Sequence, residues 1–290
     1  MSMKKALKRF KTHRDAAQLA RGTIIQKTVD KTDLHAFAAE FRTNTVNVPL
    51  VRIGGEGDGG YLIPDDFKGI RHCFSPGVST TADFEEDVAR RFGIKSFMAD
   101  ASVDGPPADN PLFEFDRKFL GAYQNETFTT LGAWVEEKLG KDDDHDLLLQ
   151  MDIEGGEFDV LIESDKSLLR RFRMMVIEFH HMESIFERNN LPRLRALFAK
   201  LHQDFAIVHL HANNCCGISE SGGVGIPPVF EITYLRRDRV ANLATGEPTV
   251  LPHPLDRPNV PKNPDVIMPE IWWRCMPQGY ASTNDLNLSR

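Results

Sequence analysis

Acidic and histidine side chains follow two apolar stretches of this sequence that are typical of buried β-strands. Asp152 and Glu154 come directly after Leu147–Met151. Side chains two positions apart on an extended chain point the same way, so these two carboxylates would face one side. Two acids at the end of a buried strand are costly unless they bind something. We therefore predict that Asp152 and Glu154 are catalytic.

The second group consists of Glu178, His180 and His181, which end the next apolar strand. Glu178 and His180 alternate onto one side, where they would meet Asp152. This set allows two chemistries. His180 or His181 could act as a general base, or Asp152, Glu178 and His180 could hold a metal ion. Oxygen ligands would favour magnesium or manganese, and the histidine would admit zinc.

A third polar group lies further along, in His209-Leu-His-Ala-Asn-Asn-Cys-Cys-Gly217. His209 and His211 would share one face of a strand. The two asparagines after them are typical of a turn. For the adjacent cysteines, Cys215 and Cys216, packing is favoured over chemistry.

A small-residue turn and a later acid indicate a ribose-bearing cofactor. The turn, Ser75–Thr81, follows an apolar strand and leads into a helix, which would let backbone N–H groups approach a ligand. Asp100 ends the next strand, where doubly wound nucleotide sites hold ribose hydroxyls. Each feature alone is also explained by an ordinary turn.

The elements that would position these residues alternate between strands and helices. This order predicts a doubly wound, mostly parallel sheet with helices on both faces. A hairpin with a glycine-rich loop is predicted over Leu50–Pro64. The strands are predicted over Ile70–Phe74, Lys95–Ala99, Asp146–Met151, Met174–Phe179, Ala206–Leu210 and Val229–Leu235. The helices are predicted over Ala82–Phe92, Leu131–Leu139, Glu157–Ser164 and Leu191–Lys200.

Composition shifts divide the chain into three predicted parts. Residues 1–45 form a helical segment, 46–240 the main domain, and 241–290 a tail that wraps it. Eight of the 17 prolines fall after residue 235, so this tail cannot form long helices. Trp272 and Trp273 are the expected anchors of the tail.

Charge and composition exclude some partners. The chain has 35 basic and 42 acidic residues, so it lacks the overall basic character of nucleic-acid binders. Sparse cysteines, no long apolar run and no apolar leader predict a cytoplasmic protein. Met1–Arg14 is basic, with six Lys or Arg and no acid. It is interpreted as a solvated helix, with weak contact to an anionic membrane surface as the alternative.

The segment Leu149-Gln-Met-Asp-Ile-Glu-Gly-Gly-Glu-Phe-Asp-Val-Leu161 resembles the K-x-D-x-E-G-x-E-x-x-V/L motif of FkbM-type S-adenosylmethionine-dependent methyltransferases. Asp58-Gly-Gly-Tyr61, Ile177-Glu-Phe-His-His181 and His209–Gly217 resemble a branch that includes animal methyltransferase-like proteins. The similarity extends over roughly Arg52 to Leu235. It implies the class I methyltransferase fold, a seven-stranded Rossmann-like sheet with an antiparallel last strand at Phe230–Leu235.

The resemblance also implies a role for several residues. Asp152 would lie at the reacting centre and Asp100 would hold the ribose. Family members carry an acid and two or more glycines in the first turn, whereas this chain has Ser75, Pro76 and one glycine. The full set of residues expected to bind S-adenosylmethionine is Asp58, Gly59, Tyr61, Ser75, Gly77, Ser79, Glu85, Asp100 and Asp152.

These observations favour an O-methyltransferase that acts on a hydroxyl of a small molecule or sugar. One alternative is a metal-dependent glycosyltransferase, because Asp142-Asp-Asp144 contains an acid-x-acid pattern. That pattern precedes a strand rather than following one. Another alternative is a scaffold that binds the cofactor without catalysis, since fold alone does not establish activity.

Overall fold

The computed structural model describes residues 18, 20–22, 25 and 27–274. Its strands are β1 Leu50–Gly54, β2 Gly60–Pro64, β3 His72–Pro76, β4 Lys95–Ala99, β5 Phe113–Asp116, β6 Phe119–Leu120, β7 Phe128–Thr129, β8 Leu147–Met151, β9 Phe172–Phe179, β10 Phe205–Ala212, β11 Ser219–Ser221, β12 Val224–Ile226 and β13 Phe230–Arg236. Its α-helices are α1 Lys31–Asn44, α2 Asp83–Phe92, α3 Leu131–Leu139, α4 Glu157–Glu163, α5 Lys166–Leu169, α6 Leu191–Asp204 and α7 Arg237–Leu243. Two 3₁₀ turns span Met182–Phe186 and Glu270–Trp272.

The central sheet has seven strands in the order β10-β13-β9-β8-β3-β4-β5. Strand β13 runs antiparallel to both of its neighbours, and the other pairs in the sheet are parallel. The predicted fold class, including the antiparallel strand at Phe230–Leu235, is confirmed. The chain reverses its direction of winding between β3 and β8, and in such sheets ligands bind beyond the strand ends at this point.

The predicted strands and helices are present, with boundaries that differ by a few residues. Strand β4 and helix α3 have the predicted limits. Strand β9 begins two residues earlier than predicted and β10 is longer at both ends, because the added residues are buried as well. Strand β5 was not predicted. Its four residues alternate Phe with acids at the sheet edge and are only half buried, so they carry no continuous apolar signal.

The predicted hairpin is also confirmed, with β1 and β2 paired from Leu50↔Pro64 to Gly54↔Gly60. It covers one face of the sheet, where Ile53 and Ile63 join the core formed with α2 and β9. The Thr233 hydroxyl of β13 donates to the Leu62 carbonyl at 2.7 Å, which fixes the hairpin across the sheet. Tyr61 is thereby held over the ends of β8 and β9.

The opposite face is covered by α1, α6 and the end of the segment 245–274, which we call the C-terminal strap. Phe41 and Phe198 pack with ring centroids 4.8 Å apart, and Trp272 meets Phe41 at 5.2 Å. The Trp272 indole donates to the Gly225 carbonyl at 2.7 Å. Both predicted anchors, Trp272 and Trp273, are buried.

The three-part division predicted from composition stays a prediction. The basic segment Met1–Arg14 lies outside the described residues, as do residues 275–290 of the tail. Within the described part of the chain, no helix is both long and apolar enough to cross a membrane.

Replacement of Trp272 by alanine should lower the free energy of unfolding by about 3–5 kcal/mol, because it empties a fully buried aromatic site. Urea denaturation would measure this loss. Val250→Ala, at a strap residue that is 66% exposed, is the control and should change stability by less than about 0.5 kcal/mol. Equal effects of the two changes would show that the strap end does not stabilise the fold.

Candidate functional site

A cavity of about 640 Å³ lies beyond the carboxyl ends of β3, β4 and β8, at the reversal point of the sheet. Its walls come from the hairpin loop, the turn after β3, the start of α2 and the loop after β8. Eight of the nine residues predicted to bind the cofactor line it, and Ser75 does not. The lining carries six carboxylates and no lysine, arginine or histidine: Asp58, Asp83, Glu85, Asp100, Asp152 and Glu154.

The turn after β3 is held by contact with the end of β8. The Asp152 amide donates to the Pro76 carbonyl at 3.2 Å. Gly77 has a φ of +89°, and a Cβ there would overlap the Asp152 carbonyl oxygen. The single glycine of this turn is therefore required by the chain's own packing, besides lining the cavity.

Asp100 organises the loops on both sides of the cavity. Its Oδ2 accepts from the Ser79 amide at 2.9 Å. Its Oδ1 accepts from the amide and the hydroxyl of Ser102 at 2.7 and 2.6 Å. A carboxylate has about four acceptor positions, so Asp100 can still accept from about one further donor. Asp100 therefore has room to hold one ribose hydroxyl through a hydrogen bond.

A buried hydrogen-bonded chain connects Ser75 with the cavity wall. The Ser75 hydroxyl contacts Glu85 and lies 2.7 Å from Gln150 Oε1, and the Gln150 amide donates to the Tyr61 hydroxyl at 3.1 Å. Ser75 thus supports Glu85 from behind. Burial raises the pKa of Glu85 to about 7, although the Ser75 hydrogen bond lowers it. Glu85, which belongs to helix α2, thus places a carboxylate beside the turn after β3, whose own sequence has none.

The far end of the cavity is apolar and was not predicted. It is formed by Phe119, Leu120 and Phe128 from the short strands β6 and β7. The Phe119 and Phe128 ring centroids are 5.6 Å apart. Aromatic side chains of this kind bind flat rings by stacking. The sequence signal is weak, because these two-residue strands lie in a loop with no periodic pattern.

The predicted groups at the ends of β8 and β9 lie close together, and of these three residues Asp152 also lines the cavity. His180 Nε2 lies 3.9 Å from Asp152 Oδ1 and 3.9 Å from Glu178 Oε1. One ligand atom from each of these three residues lies within 4.8 Å of the others. Burial raises the pKa of Asp152 to about 7, against the lowering effect of the His180 charge.

Glu157 supports His180, a role that the sequence alone did not reveal. Its position in the first turn of α4 is explained by the helix dipole. In the structure it is fully buried, and its Oε1 lies 3.1 Å from His180 Nδ1 and accepts from the Gly155 amide at 3.0 Å. Burial lowers the pKa of His180, but the hydrogen bond and charge of Glu157 outweigh this and raise it.

The two other residues predicted to be catalytic, Glu154 and His181, are more exposed to solvent than Asp152 and His180. Glu154 has a φ of +55° and its side chain is 86% exposed, yet its Oε2 lies 3.3 Å from His180 Nε2. His181 also has a left-handed backbone, and its side chain is 73% exposed and packs against Gly155. His181 follows the end of β9 by two residues and is largely exposed to solvent, whereas His180 is the histidine next to Asp152.

Glu178 is almost fully buried, and its Oε1 accepts from the Asn213 amide at 2.9 Å. Its Oε2 has no hydrogen-bond partner, and neither has Asp152 Oδ1. Burial, with Asp152 and Glu231 nearby, raises the pKa of Glu178 well above its ordinary value. Buried acceptors without donors are uncommon, so this end of the site suits a ligand that brings a cation or hydrogen-bond donors.

The third polar group contacts the C-terminal strap. His211 Nδ1 lies 3.3 Å from Glu231 Oε2, and His209 Nε2 lies 2.9 Å from Asp256 Oδ1. The Asn259 amide donates to Glu231 at 2.8 Å and reaches Asp58 at 3.3 Å. The strap thus connects the hairpin loop to β13. This link joins residues about 200 positions apart and has no local sequence signal.

Two sequence interpretations change. Cys215 and Cys216 are exposed and form a disulfide with each other, so the prediction that they pack is wrong.

Asp142–Asp144 precedes β8 at the amino end of the parallel strands. The acid-x-acid run is therefore at the opposite end of the sheet from the cavity, and Asp143 pairs with Arg171 at 2.7 Å.

Residues 82–206 match the family described as methyltransferase FkbM domain. The match covers a little under half of the chain and includes Leu149–Leu161, so the resemblance seen in that segment is confirmed. The similarity to animal methyltransferase-like proteins stays a prediction. No curated protein matches the chain.

Several solved structures are similar at low identity. A chain of the fibrillarin/NOP5P complex has a TM-score of 0.34 and 10% identity, covering 58% of this chain and 74% of that one. The antibiotic-resistance methyltransferase Kmr has a TM-score of 0.28 and 14% identity, covering 65% and 100%. Precorrin-6y C5,15-methyltransferase from Geobacter metallireducens GS-15 has a TM-score of 0.28 and 11% identity, covering 74% and 93%.

Glu85 should make stability fall as pH rises. Its folded pKa of about 7 exceeds its ordinary 4.5, so its contribution is fully present below pH 4.5 and lost as pH rises through 7. At about 1.4 kcal/mol per pH unit, the loss reaches about 3 kcal/mol by pH 8. In Glu85→Gln the decline between pH 5 and 8, measured by urea denaturation, should be smaller by about 3 kcal/mol, because only the contributions of other groups with a raised pKa, such as Asp152, remain. Glu86→Gln, an exposed neighbour with the same charge change, should keep it. A decline equal in both variants would contradict the assignment.

Proposed function

We propose that this protein is an S-adenosylmethionine-dependent O-methyltransferase that acts on a hydroxyl of a small molecule or sugar. The observation that carries the proposal is the layout of the cavity. Its lining includes the aromatic side chains of Phe119 and Phe128, the acid Asp100, and Asp152, which also belongs to the cluster with Glu178 and His180. The FkbM domain supports the methyltransferase class, and the acidic lining disfavours anionic acceptors.

The residues present fit S-adenosylmethionine. Phe119 and Phe128 would stack on the adenine, and Asp100 would accept from one ribose hydroxyl. Glu85 and Asp58 would face the ammonium and sulfonium charges. When bound, the cofactor would supply a methyl group on a sulfonium sulfur, and the sulfur would leave as the acceptor oxygen bonds to the methyl carbon in line. Most of the rate gain can therefore come from positioning the acceptor.

An acceptor hydroxyl must lose its proton during attack. Asp152 is suited to take it, because a base with a pKa of about 7 is matched to neutral pH. His180, held by Glu157, would stay close to Asp152 and stabilise its charged form. His181 remains a weaker candidate for the base because of its exposure.

A divalent metal at Asp152, Glu178 and His180 is the second version of the same reaction. Glu157 accepts from His180 Nδ1, which directs the Nε2 lone pair toward the two carboxylates, an arrangement typical of metal-bound histidines. Such an ion would acidify a bound hydroxyl. Magnesium or manganese would suit the oxygen ligands.

Titration calorimetry with S-adenosylmethionine tests the cofactor directly. We expect micromolar binding, and binding at least about tenfold weaker in Asp100→Asn, because a hydrogen bond to ribose is lost and the flanking loops are disturbed. Asp104→Asn, whose side chain is 92% exposed, is the control and should bind like the wild type. No binding by the wild type at millimolar concentration would refute the proposal. Tight binding without turnover of any hydroxylated acceptor would favour the scaffold.

Manganese titration followed by electron paramagnetic resonance tests the metal version. We expect one ion per chain, with affinity at least about tenfold lower in Glu178→Gln, since a charged ligand is lost. Glu163→Gln makes the same charge change on the exposed side of α4 and should bind as the wild type does. No bound manganese at millimolar concentration would eliminate the metal and leave Asp152 as the base.

A further inference from the structure

The turn after β10 joins an exposed sulfur pair to two buried parts of the molecule. Cys215 and Cys216 are exposed and bonded to each other. The two residues before them, Asn213 and Asn214, are both more than 90% buried. Two adjacent peptide units therefore separate a solvent-accessible disulfide from interior amide side chains.

Asn213 connects this turn to the candidate site. Its Oδ1 accepts from the Cys215 amide at 3.0 Å, and its Nδ2 donates to Glu178 Oε1 at 2.9 Å. The first hydrogen bond fixes the orientation of the Asn213 side-chain amide, and the second fixes the position of the buried Glu178 carboxylate. A change in the orientation of the Cys215 peptide would thus be transmitted to Glu178 through one side chain.

Asn214 connects the same turn to the C-terminal strap. Its Oδ1 accepts from the Val260 amide at 2.7 Å, and its Nδ2 donates to the Val260 carbonyl at 2.9 Å. The Asn263 side chain donates back to the Asn214 carbonyl at 3.1 Å. The strap also carries Asn259, which bonds to Glu231 beside the site.

We propose that Cys215 and Cys216 are a reversible thiol–disulfide site whose state sets the positions of Asn213 and Asn214. A disulfide between adjacent residues closes a small ring through the Cys215–Cys216 peptide and restricts its rotation. Reduction of the disulfide opens this ring, so the Cys215 amide that donates to Asn213 regains rotational freedom. Exposed disulfides are the ones that exchange readily.

The reductant is a small or protein dithiol. Its thiolate attacks one sulfur, the Cys215–Cys216 bond breaks and a mixed disulfide forms. The second thiol of the reductant then displaces the cysteine. Two electrons and two protons end on Cys215 and Cys216, and the reductant leaves as a cyclic disulfide. This exchange is independent of whether the proposed methyl transfer occurs.

The first test counts reactive thiols in the folded protein that carries Cys275→Ser. This change removes Cys275, which lies outside the described residues, so that its thiol does not add to those of Cys215 and Cys216. Cys73 is fully buried and should not react in the folded state. We expect no reactive thiol after treatment with oxidised dithiothreitol or hydrogen peroxide, and two per chain after reduced dithiothreitol. Two reactive thiols under both conditions would overturn the proposal.

The second test follows side-chain amides by ¹H–¹⁵N NMR in the same variant. Reduction should shift the signals of Asn213 and Asn214. Asn125 is the matched control, because its Oδ1 accepts from the Thr127 amide in the same kind of turn far from the cysteines. A Cys215→Ser/Cys216→Ser variant should not respond to dithiothreitol. An unchanged Asn213 signal on reduction, or a response of the serine variant, would refute the relay.

Discussion

The contact between the ends of β3 and β8 is the constraint on which the site depends. Gly77 has no Cβ, so its backbone can lie against the Asp152 carbonyl, and the Asp152 amide bonds to Pro76. This contact joins the two halves of the sheet at the point where its winding reverses. It fixes the cavity wall at Gly77 and Asp152 and the path of the turn whose Ser79 amide donates to Asp100.

Charge is distributed unevenly around the cavity. The cavity wall is acidic, yet the carboxylates next to it differ in environment. Glu157 is paired with His180, Asp100 is bonded to backbone amides, and Glu178 keeps one buried oxygen without a partner. The hydrogen bond from His180 lowers the pKa of Glu157 against the effect of its burial, whereas burial raises the pKa of Glu178. Enzymes obtain both acids and bases from carboxyl groups by such differences in environment.

The sequence predicted the sheet and the ends of its strands well, because long apolar runs followed by polar residues are strong local signals. It also predicted that Asp152, Glu178 and His180 meet, since neighbouring parallel strands end at one edge. It could not reveal Glu157 as the support of His180, because a helix-dipole role explains an acid there equally well. The link from Asn259 to Asp58 and the aromatic wall at Phe119 and Phe128 depend on tertiary contacts without a local pattern. The disulfide was missed because adjacent cysteines rarely bond.

The reversed direction of β13 has a consequence for how the site can diversify. In the parallel strands, the loops that leave the strands reach the cavity side of the sheet. In β13 the entering segment does so, and Glu231 at its start stands opposite Glu178. The small β11–β12 hairpin lies in that entering segment. Changes in the length of residues 217–229 would therefore act at the strand ends where Glu178 and Glu231 stand, while leaving the seven-stranded framework and the residues 82–206 that match the FkbM family untouched.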